Sequence, residues 1–162
     1  MDEVGRGCLA GPILAGAAIF RLNADLSAIS AICDSKTLSD KRRRRMLQEV
    51  VLPNARVVVA GVSAKEIDRI GIARANRLAM TRAWLRLGLP DVETVIDGRE
   101  VPPDIPGEAV IGGDALVPEI GAAAIAAKVL RDDVMAKLDS ARPGYGWARN
   151  AGYGTAEHRL AV

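Results

Sequence analysis

The sequence predicts one α/β or α+β domain. Short apolar or β-branched stretches of strand length alternate with longer stretches rich in Ala and Leu, which are typical of helices. The chain has 162 residues, of which 49% are apolar, so it is long and apolar enough to form a core. It contains no repeat, low-complexity tract or linker. Because aromatic residues make up only 3% of the chain, that core must consist mainly of Ala, Val, Leu and Ile.

The first two predicted strands lie near the N-terminus. Asp2 and Glu3 are placed at the end of a first strand, which we expect to be truncated because almost nothing precedes it. We therefore expect Asp2 to lack the backbone pairing that would normally fix it. Residues 9–20 are apolar and contain Gly11-Pro12 near their start, which predicts a buried strand entered from a turn.

Two helices and a strand are predicted in the middle of the chain. Ser39 is typical of an N-cap and predicts a helix that reaches about Val51, after which Pro53-Asn54 breaks it. Residues 56–63 are β-branched and predict a strand. Residues 72–87 are rich in Ala, Leu and Met and predict a helix that Gly88 ends.

The remaining predicted elements deliver two further acidic residues. Residues 92–97 predict a short strand ending in Asp97, and the three prolines within 99–107 predict a loop. A brief strand at 108–111 leads to Gly112-Gly113-Asp114, and a long helix follows Pro118. From Arg142 onward the chain is Gly-rich, and we expect it to be irregular.

Four acidic side chains are the candidate catalytic and metal-binding residues: Asp2, Glu3, Asp97 and Asp114. Asp97-Gly98 and Gly113-Asp114 are each ordinary turn dipeptides, so only their combination with Asp2-Glu3 is informative. If the predicted strands bring all four to one sheet edge, their mutual repulsion requires hard cations, and carboxylate oxygens suit Mg²⁺ or Mn²⁺. The pattern therefore predicts a phosphodiester-cutting metal site.

A Gly-rich turn and a tyrosine are candidates for binding substrate. Gly5-Arg6-Gly7 is not a dinucleotide-binding motif, because its spacing is wrong and an apolar strand follows it. Directly after Asp2-Glu3, its exposed backbone could instead read a ribose 2′-OH. Tyr153 lies between two glycines and is either a packing residue or an aromatic face for a sugar or base.

Charge and cysteine content narrow the function only slightly. The net charge of +2 does not by itself indicate a nucleic-acid partner, and the basic run at 41–45 fits either phosphate contacts or a solvated helix face. His158 is the single histidine, which excludes a His-rich zinc site; we expect it at the surface or behind the site. Cys8 and Cys33 are expected to be reduced. No secretory signal or long apolar run occurs, so we expect a cytoplasmic protein with no membrane partner.

These motifs together resemble the type 2 ribonucleases H, the ribonuclease HII family, over practically the whole chain. The matching segments are Asp2 to Gly7 with Leu9 to Pro12, Asp34-Ser35-Lys36 with Leu38-Ser39, Ala79-Met80, Asp97-Gly98, Gly113-Asp114-Ala115, Ala122 to Val129, Arg131-Asp132, Gly152 to Thr155 and His158. The related ribonucleases HIII usually carry an extra N-terminal domain and a different residue at the position of Arg6. The resemblance therefore favours HII.

The resemblance implies a ribonuclease H-like fold, with a mixed five-stranded sheet flanked by helices, over a single catalytic domain of residues 1–162 whose ends are both shortened. It implies cleavage of RNA in RNA–DNA hybrids, and cleavage 5′ of ribonucleotides embedded in duplex DNA, with two Mg²⁺ or Mn²⁺ ions. The four acids would be catalytic. The implied substrate-binding residues are Gly5, Arg6, Gly7, Ser35, Lys36 and Tyr153. A monomer is expected.

Two alternatives remain at this point. A non-catalytic module with the same fold would bind nucleic acid without cutting it, and the shortened ends keep this possibility open. Another metal-dependent nuclease of the superfamily, such as a junction resolvase, would not need a ribose. Ala124 also departs from the family pattern, in which serine is common, and so removes a hydroxyl near the site.

Overall fold

The computed structural model describes residues 1–32 and 38–162, and its strands form two hydrogen-bonded groups. The first group is antiparallel, in the order β1-β2-β3, and the second is a parallel pair, β4-β5. The strands are β1 (Asp2–Val4), β2 (Ile13–Phe20), β3 (Ala55–Val62), β4 (Thr94–Asp97) and β5 (Gly107–Val110).

Met1 joins the two groups of strands. Its backbone nitrogen donates to the Val95 carbonyl at 2.7 Å, and its carbonyl accepts from the Asp97 nitrogen at 2.9 Å. This is the pattern of a parallel ladder, so β1 lies between β2 and β4 and the combined order is β3-β2-β1-β4-β5. The prediction of a mixed five-stranded sheet is confirmed. The expectation that Asp2 lacks backbone pairing is wrong, because Asp2 pairs with Gly16 of β2.

The helices flank this sheet. They are α1 (Leu26–Ser30), α2 (Asp40–Met46), a π-helical turn (Leu47–Val51), α3 (Leu52–Asn54), α4 (Ala64–Ile70), α5 (Ile72–Leu87), α6 (Gly113–Leu116), α7 (Pro118–Ala141), α8 (Trp147–Asn150) and α9 (Ala156–Ala161). The predicted helix start at Ser39 and stop at Gly88 are confirmed. The predicted break at Pro53-Asn54 is wrong, because α3 includes both residues and proline is tolerated in the first turn of a helix. Ser39 caps α2 by accepting from the Arg42 nitrogen, and α5 ends at Gly88, which adopts a left-handed conformation.

Two core clusters lie on opposite faces of the sheet. In β2, Ile13, Ala15 and Ala17 belong to the cluster that contains α5 residues, whereas Ala18 and Phe20 pack with the cluster that contains α7 residues. This alternation follows from the two-residue period of a strand. Both clusters consist mainly of Ala, Val, Ile and Leu, as the low aromatic content predicts.

Helix α7 lies very close to β2 because both surfaces are made of small residues. A Cβ atom built on Gly16 would come within 2.3 Å of the Ala123 carbonyl oxygen. Only glycine therefore fits at this position of β2. Since Gly16 pairs with Asp2, this close approach also fixes how far α7 stands from the acidic end of β1.

The C-terminal segment is more ordered than its Gly-rich sequence suggests. The expected irregular region contains α8 and α9, and His158 is completely buried, so the surface interpretation of His158 is wrong. The Trp147 Nε1 atom donates to His158 Nε2 at 3.0 Å, which leaves Nδ1 to donate to the Tyr153 carbonyl at 2.9 Å. His158 therefore supports the segment that carries Tyr153.

Candidate active site

The four predicted acids occupy one end of the central strands. Asp2 and Glu3 lie in β1, Asp97 ends the neighbouring strand β4, and Asp114 lies in the first turn of α6. Asp97 Oδ1 accepts from the Gly113 nitrogen at 2.7 Å, which ties the end of β4 to the turn that presents Asp114. The fold therefore brings together acids from positions more than 100 residues apart, as the strand pattern predicts.

The acids line two adjoining cavities that share Glu3. A cavity of about 270 Å³ contains Asp2, Glu3 and Asp114 together with Lys128 and Tyr153. A second cavity of about 380 Å³ contains Glu3 and Asp97 together with three arginines, Arg6, Arg77 and Arg99. The acidic residues thus lie at the boundary between two openings that are also lined by cationic side chains.

Burial and mutual repulsion perturb the acids at this boundary. The pKa of Asp2 rises from 3.8 to about 7, first because the carboxyl is buried and then because Glu3 and Asp97 are close. Asp114 contributes a smaller effect in the same direction. Burial also raises the pKa of Glu3, which the Arg6 guanidinium, 3.9 Å away, partly opposes. Ionisation of both Asp2 and Glu3 is therefore unfavourable unless a cation is bound beside them.

The donor types fit a hard divalent cation. All four groups are carboxylates, which Mg²⁺ and Mn²⁺ prefer, and a bound cation would offset the repulsion that raises the pKa of Asp2. Within residues 1–32 and 38–162, however, no three His, Cys, Asp or Glu side chains already converge as a preformed metal site. The observed arrangement therefore supplies suitable oxygens without an assembled coordination shell.

The Gly5-Arg6-Gly7 turn follows the acids directly. Gly5 is buried, whereas Arg6 and Gly7 are exposed to solvent. Gly5 has φ +102°, and a Cβ atom there would lie 2.6 Å from the Pro12 carbonyl oxygen, so the turn requires glycine at this position. Gly7 has open space around its α-carbon. The Arg6 side chain is 61% exposed and lines the larger cavity.

Tyr153 lies beside this turn, and its ring is partly exposed. A backbone bridge pairs Cys8 with Tyr153, and the Leu9 nitrogen donates to the Gly152 carbonyl at 2.8 Å. Tyr153 is 41% exposed and lines the cavity that contains Asp2 and Asp114. The structure therefore places Tyr153 against the acidic cavity rather than in the core. Ser35 and Lys36, the other predicted substrate-binding residues, lie outside the described residues.

The basic run of α2 divides into residues with different surroundings. Arg44 bridges Asp40 at 2.9 Å and Asp133 of α7 at 2.7 Å, and Arg45 pairs with Glu49 at 2.7 Å. Arg43 instead lines the cavity with the acids, and its Nη2 atom donates to the Leu38 carbonyl at 2.8 Å. Lys41 and Arg42 are exposed. The paired and exposed residues fit a solvated helix face, and the phosphate-contact interpretation of the run stays a prediction.

Sequence reasoning missed three cationic residues near the site. Arg43 was one member of a run, and Lys128 was only part of the matching segment Ala122 to Val129. In the structure, Lys128 pairs with Asp132 at 2.6 Å. Lys128 Nζ also lies 5.7 Å from the centre of the Tyr153 ring. Arg131 is completely buried below the same tyrosine. In the sequence, Arg131 belongs to the matching segment Arg131-Asp132, but nothing there indicated a buried position beneath Tyr153.

The fold is that of the type 2 and type 3 ribonucleases H. An RNase HII from Archaeoglobus fulgidus, solved in complex with PCNA, has a TM-score of 0.78 and 24% identity over 98% of this chain and 82% of its own. Ribonuclease H2 from Pyrococcus horikoshii has a TM-score of 0.72 and 22% identity, and covers 98% of this chain and 81% of its own. Bst-RNase HIII, solved in complex with Mn²⁺, has a TM-score of 0.72 and 19% identity, and the match covers 86% of this chain and 53% of the Bst-RNase HIII chain.

Sequence similarity assigns the family within this fold. The ribonuclease HII family profile matches residues 1–162. Ribonuclease HII of Rhodospirillum rubrum is 47% identical over all of this chain and 76% of its own length. Ribonuclease HII of Paracidovorax citrulli is 45% identical over 100% of this chain and 67% of its own length. The chain belongs to the ribonuclease HII family and is an endoribonuclease, a hydrolase. None of the helices in the described residues is long and apolar enough to cross a membrane.

Proposed function

We propose that this endonuclease hydrolyses the RNA strand of RNA–DNA hybrids and cuts on the 5′ side of single ribonucleotides embedded in duplex DNA, leaving a 3′-hydroxyl and a 5′-phosphate. The observation that carries the proposal is the position of the acids beside the glycine turn and Tyr153. Cleavage chemistry and recognition of a ribose would then occur on one continuous surface.

In this proposal, Asp2, Glu3, Asp97 and Asp114 hold two Mg²⁺ or Mn²⁺ ions when substrate is present. Such ions, when bound, activate a water and stabilise charge on the scissile phosphate and leaving oxygen. Burial and nearby carboxylates raise the pKa values of two of the four acids: Glu3 and Asp97 act on Asp2, and Asp97 acts on Glu3. Ionising them costs free energy that binding of a cation offsets.

Recognition of the ribonucleotide is assigned to the backbone of Gly5-Arg6-Gly7 and to the Tyr153 ring. A 2′-hydroxyl can both donate and accept hydrogen bonds, and the exposed backbone of Arg6 and Gly7 offers both kinds of partner. The partly exposed Tyr153 ring would pack against the sugar at the same position. Both features lie directly beside the acids, so recognition of the 2′-hydroxyl would select the phosphodiester to be cut.

Phosphate contacts are assigned to Ser35 and Lys36, and to the cationic residues that line the two cavities. Arg6 and Arg43 each share a cavity with acids of the proposed catalytic set. Cationic contacts of this kind position the nucleic-acid backbone without reading its sequence. We further propose that residues 1–162 form one catalytic domain that acts as a monomer in the cytoplasm.

The test of this proposal is cleavage of three labelled duplexes: all-DNA, DNA with one ribonucleotide, and an RNA–DNA hybrid. We expect cleavage of the second and third in Mg²⁺ or Mn²⁺, none of the first, and none of any in chelator. Binding without a product would instead support a non-catalytic module. Cleavage of the all-DNA duplex would support a nuclease that needs no ribose.

Two substitutions test the residue assignments. Asp114→Asn should lower kcat/KM by about 100-fold or more, because the acid is assigned directly to the reacting centre. Asp104→Asn makes the same acid-to-amide change at an exposed residue of the 99–106 loop and should be neutral. Full activity of Asp114→Asn would refute its assignment. Tyr153→Ala should weaken cleavage at the single ribonucleotide more than on the hybrid, and Tyr153→Phe, which retains the ring, should preserve it.

A further inference from the structure

Arg131 is a buried cation that donates three hydrogen bonds to backbone carbonyls and also contacts the Cys8 thiol. The residue lies in α7 and has 0% exposure. Its Nε atom donates to the Pro12 carbonyl at 2.9 Å, Nη1 to that of Ala151 at 2.7 Å and Nη2 to that of Ala10 at 3.1 Å. Within the described residues, no carboxylate lies at ion-pair distance from Arg131. Burying a charge in this way is costly unless it is hydrogen-bonded, and here each of the three guanidinium nitrogens donates a hydrogen bond.

The three carbonyls belong to two segments that are far apart in the sequence. Ala10 and Pro12 follow the Gly5-Arg6-Gly7 turn, whereas Ala151 precedes Tyr153 by two residues. The planar guanidinium can bind both segments because its donors point outward in a fixed fork. A single side chain therefore connects the two segments that flank the acidic cavity.

Arg131 also lies directly against the segment that contains Gly5 and Gly11 and close to the ring of Tyr153. A Cβ atom on Gly5 would lie 2.5 Å from Arg131 Nε, and one on Gly11 would lie 3.3 Å from Nη2. The guanidinium carbon is 6.0 Å from the centre of the Tyr153 ring. Gly5 and Tyr153 thus both lie against the Arg131 guanidinium, so the distance between them depends on the position of this group.

We propose that Arg131 is a positioning residue for ribonucleotide recognition: it holds the Gly5-Arg6-Gly7 turn and Tyr153 in a fixed relation while remaining inaccessible to substrate. The inference rests on the recognition roles in the proposed function. It adds that preference for the single-ribonucleotide substrate requires the three hydrogen bonds that Arg131 of α7 donates to backbone carbonyls. A purely structural role would instead lower stability and affect all substrates alike.

The experiment compares Arg131→Met and Arg131→Lys with Val51→Ala. Met removes all three donors, whereas Lys retains the charge and one donating group; the Lys variant is used if the Met variant does not fold. Val51 is completely buried in a core cluster that includes no residue of either segment, so Val51→Ala serves as a control for reduced stability. Each variant is tested for urea unfolding, for kcat/KM on the single-ribonucleotide duplex and the hybrid, and for Mn²⁺ affinity.

We expect Arg131→Met to reduce kcat/KM on the single-ribonucleotide duplex about 10-fold to 100-fold more than on the hybrid, because the recognition groups lose their relative position. Mn²⁺ affinity should remain within twofold of the wild-type value. In a Tyr153→Ala background, Arg131→Met should cause little further loss of discrimination, because one of the two positioned groups is already absent. Equal loss on both substrates, or the same effect from Val51→Ala, would overturn the inference.

A measurement that needs no activity separates this inference from the proposed function. The Leu9 amide donates to Gly152, and the Cys8 amide donates to Gly5, so amide exchange at these two residues reports on the joined segments. Arg131→Met should accelerate exchange at both at least 10-fold more than Val51→Ala does. If exchange is unchanged, the positioning role is wrong. If exchange changes but the wild type cuts no ribonucleotide-containing duplex, the recognition function is wrong while the coupling of the segments stands.

Discussion

Replacing Gly16 with alanine tests the close packing that places β1 beside α7. The added Cβ would lie 2.3 Å from the Ala123 carbonyl oxygen, 2.9 Å from its carbonyl carbon and 3.1 Å from its α-carbon. All three are backbone atoms of α7, so no side-chain rotation can relieve the overlap. Ordinary contact begins at 3.4 Å, and the helix and the strand must therefore separate by about 1 Å.

The expected effect on stability combines two opposing contributions. Overpacking of a filled core costs about 1 to 3 kcal/mol, and a rigid backbone obstacle places Gly16→Ala towards the upper end. Replacing a strand glycine by alanine returns about 0.5 to 1 kcal/mol through lower backbone entropy in the unfolded chain. We therefore expect the free energy of unfolding to fall by about 1 to 2 kcal/mol.

The same substitution should reduce activity more than its stability loss explains. Gly16 pairs directly with Asp2, and α7 carries Lys128 of the acidic cavity. A displacement of about 1 Å at a reacting centre can cost on the order of 100-fold in rate. We expect kcat/KM to fall by about 10-fold to 100-fold under conditions where the variant is fully folded.

Gly61→Ala is the matched control in the neighbouring strand. Its Cβ would meet the Leu14 Cδ2 atom at 2.3 Å, the end of a flexible side chain, and the Ile13 carbonyl oxygen at 3.1 Å. Rotation of Leu14 can relieve the closer contact, so the net change in stability should stay within about 0.5 kcal/mol. Urea unfolding gives both values, provided that the slope is unchanged. If Gly16→Ala is as stable and active as Gly61→Ala, the close packing described for Gly16 does not constrain the site.

Two further predictions concern charge. Because the pKa of folded Asp2 is raised to about 7, this group lowers the stability of the metal-free protein as the pH rises from about 4 to 7. Asp2→Asn should therefore raise the free energy of unfolding at pH 8 by about 1 to 3 kcal/mol, and it should weaken the stabilisation by Mg²⁺. A destabilised Asp2→Asn variant would contradict this prediction. Substrate binding should weaken as the salt concentration increases, and Arg42→Gln should make the slope of log K against log salt about one unit shallower if Arg42 contacts a phosphate. Arg45→Gln removes a cation that is already paired with Glu49, so it should change this slope less. Equal slopes for the two variants would show that Arg42 simply faces water.

The sequence predicts most of the fold because local signals agree with long-range packing there. The 72–87 helix has the predicted bounds, and the strand expected at 108–111 is β5, Gly107–Val110. Helix α4 was missed although Ser63 and Glu66 form a capping box, because its short sequence follows a strand without a strong apolar period. Helices α8 and α9 were missed because glycines dominate the local pattern, whereas the buried contacts of Trp147 and His158 stabilise them.

The candidate site could be predicted where residue types mark it, in the acids and in the glycines of the Gly5-Arg6-Gly7 turn. Acids that follow strands are visible in a sequence, and the ends of neighbouring strands bring them together. The partners of Arg131 are carbonyls 20, 119 and 121 positions away, and a backbone carbonyl has no residue-specific signature. Similarly, pairing of Met1 with β4 depends on backbone atoms alone, which is why Asp2 was expected to lack support.

The scarcity of aromatic residues gives this protein a native optical reporter. Of its two tryptophans, Trp84 packs against the cluster of α5, and Trp147 stacks on Tyr145 and bonds to the histidine that holds the Tyr153 carbonyl. With Trp84 replaced by phenylalanine, the remaining emission comes from a single indole directly behind the proposed recognition segment. Intrinsic fluorescence can then follow movement of that segment in solution without an attached dye.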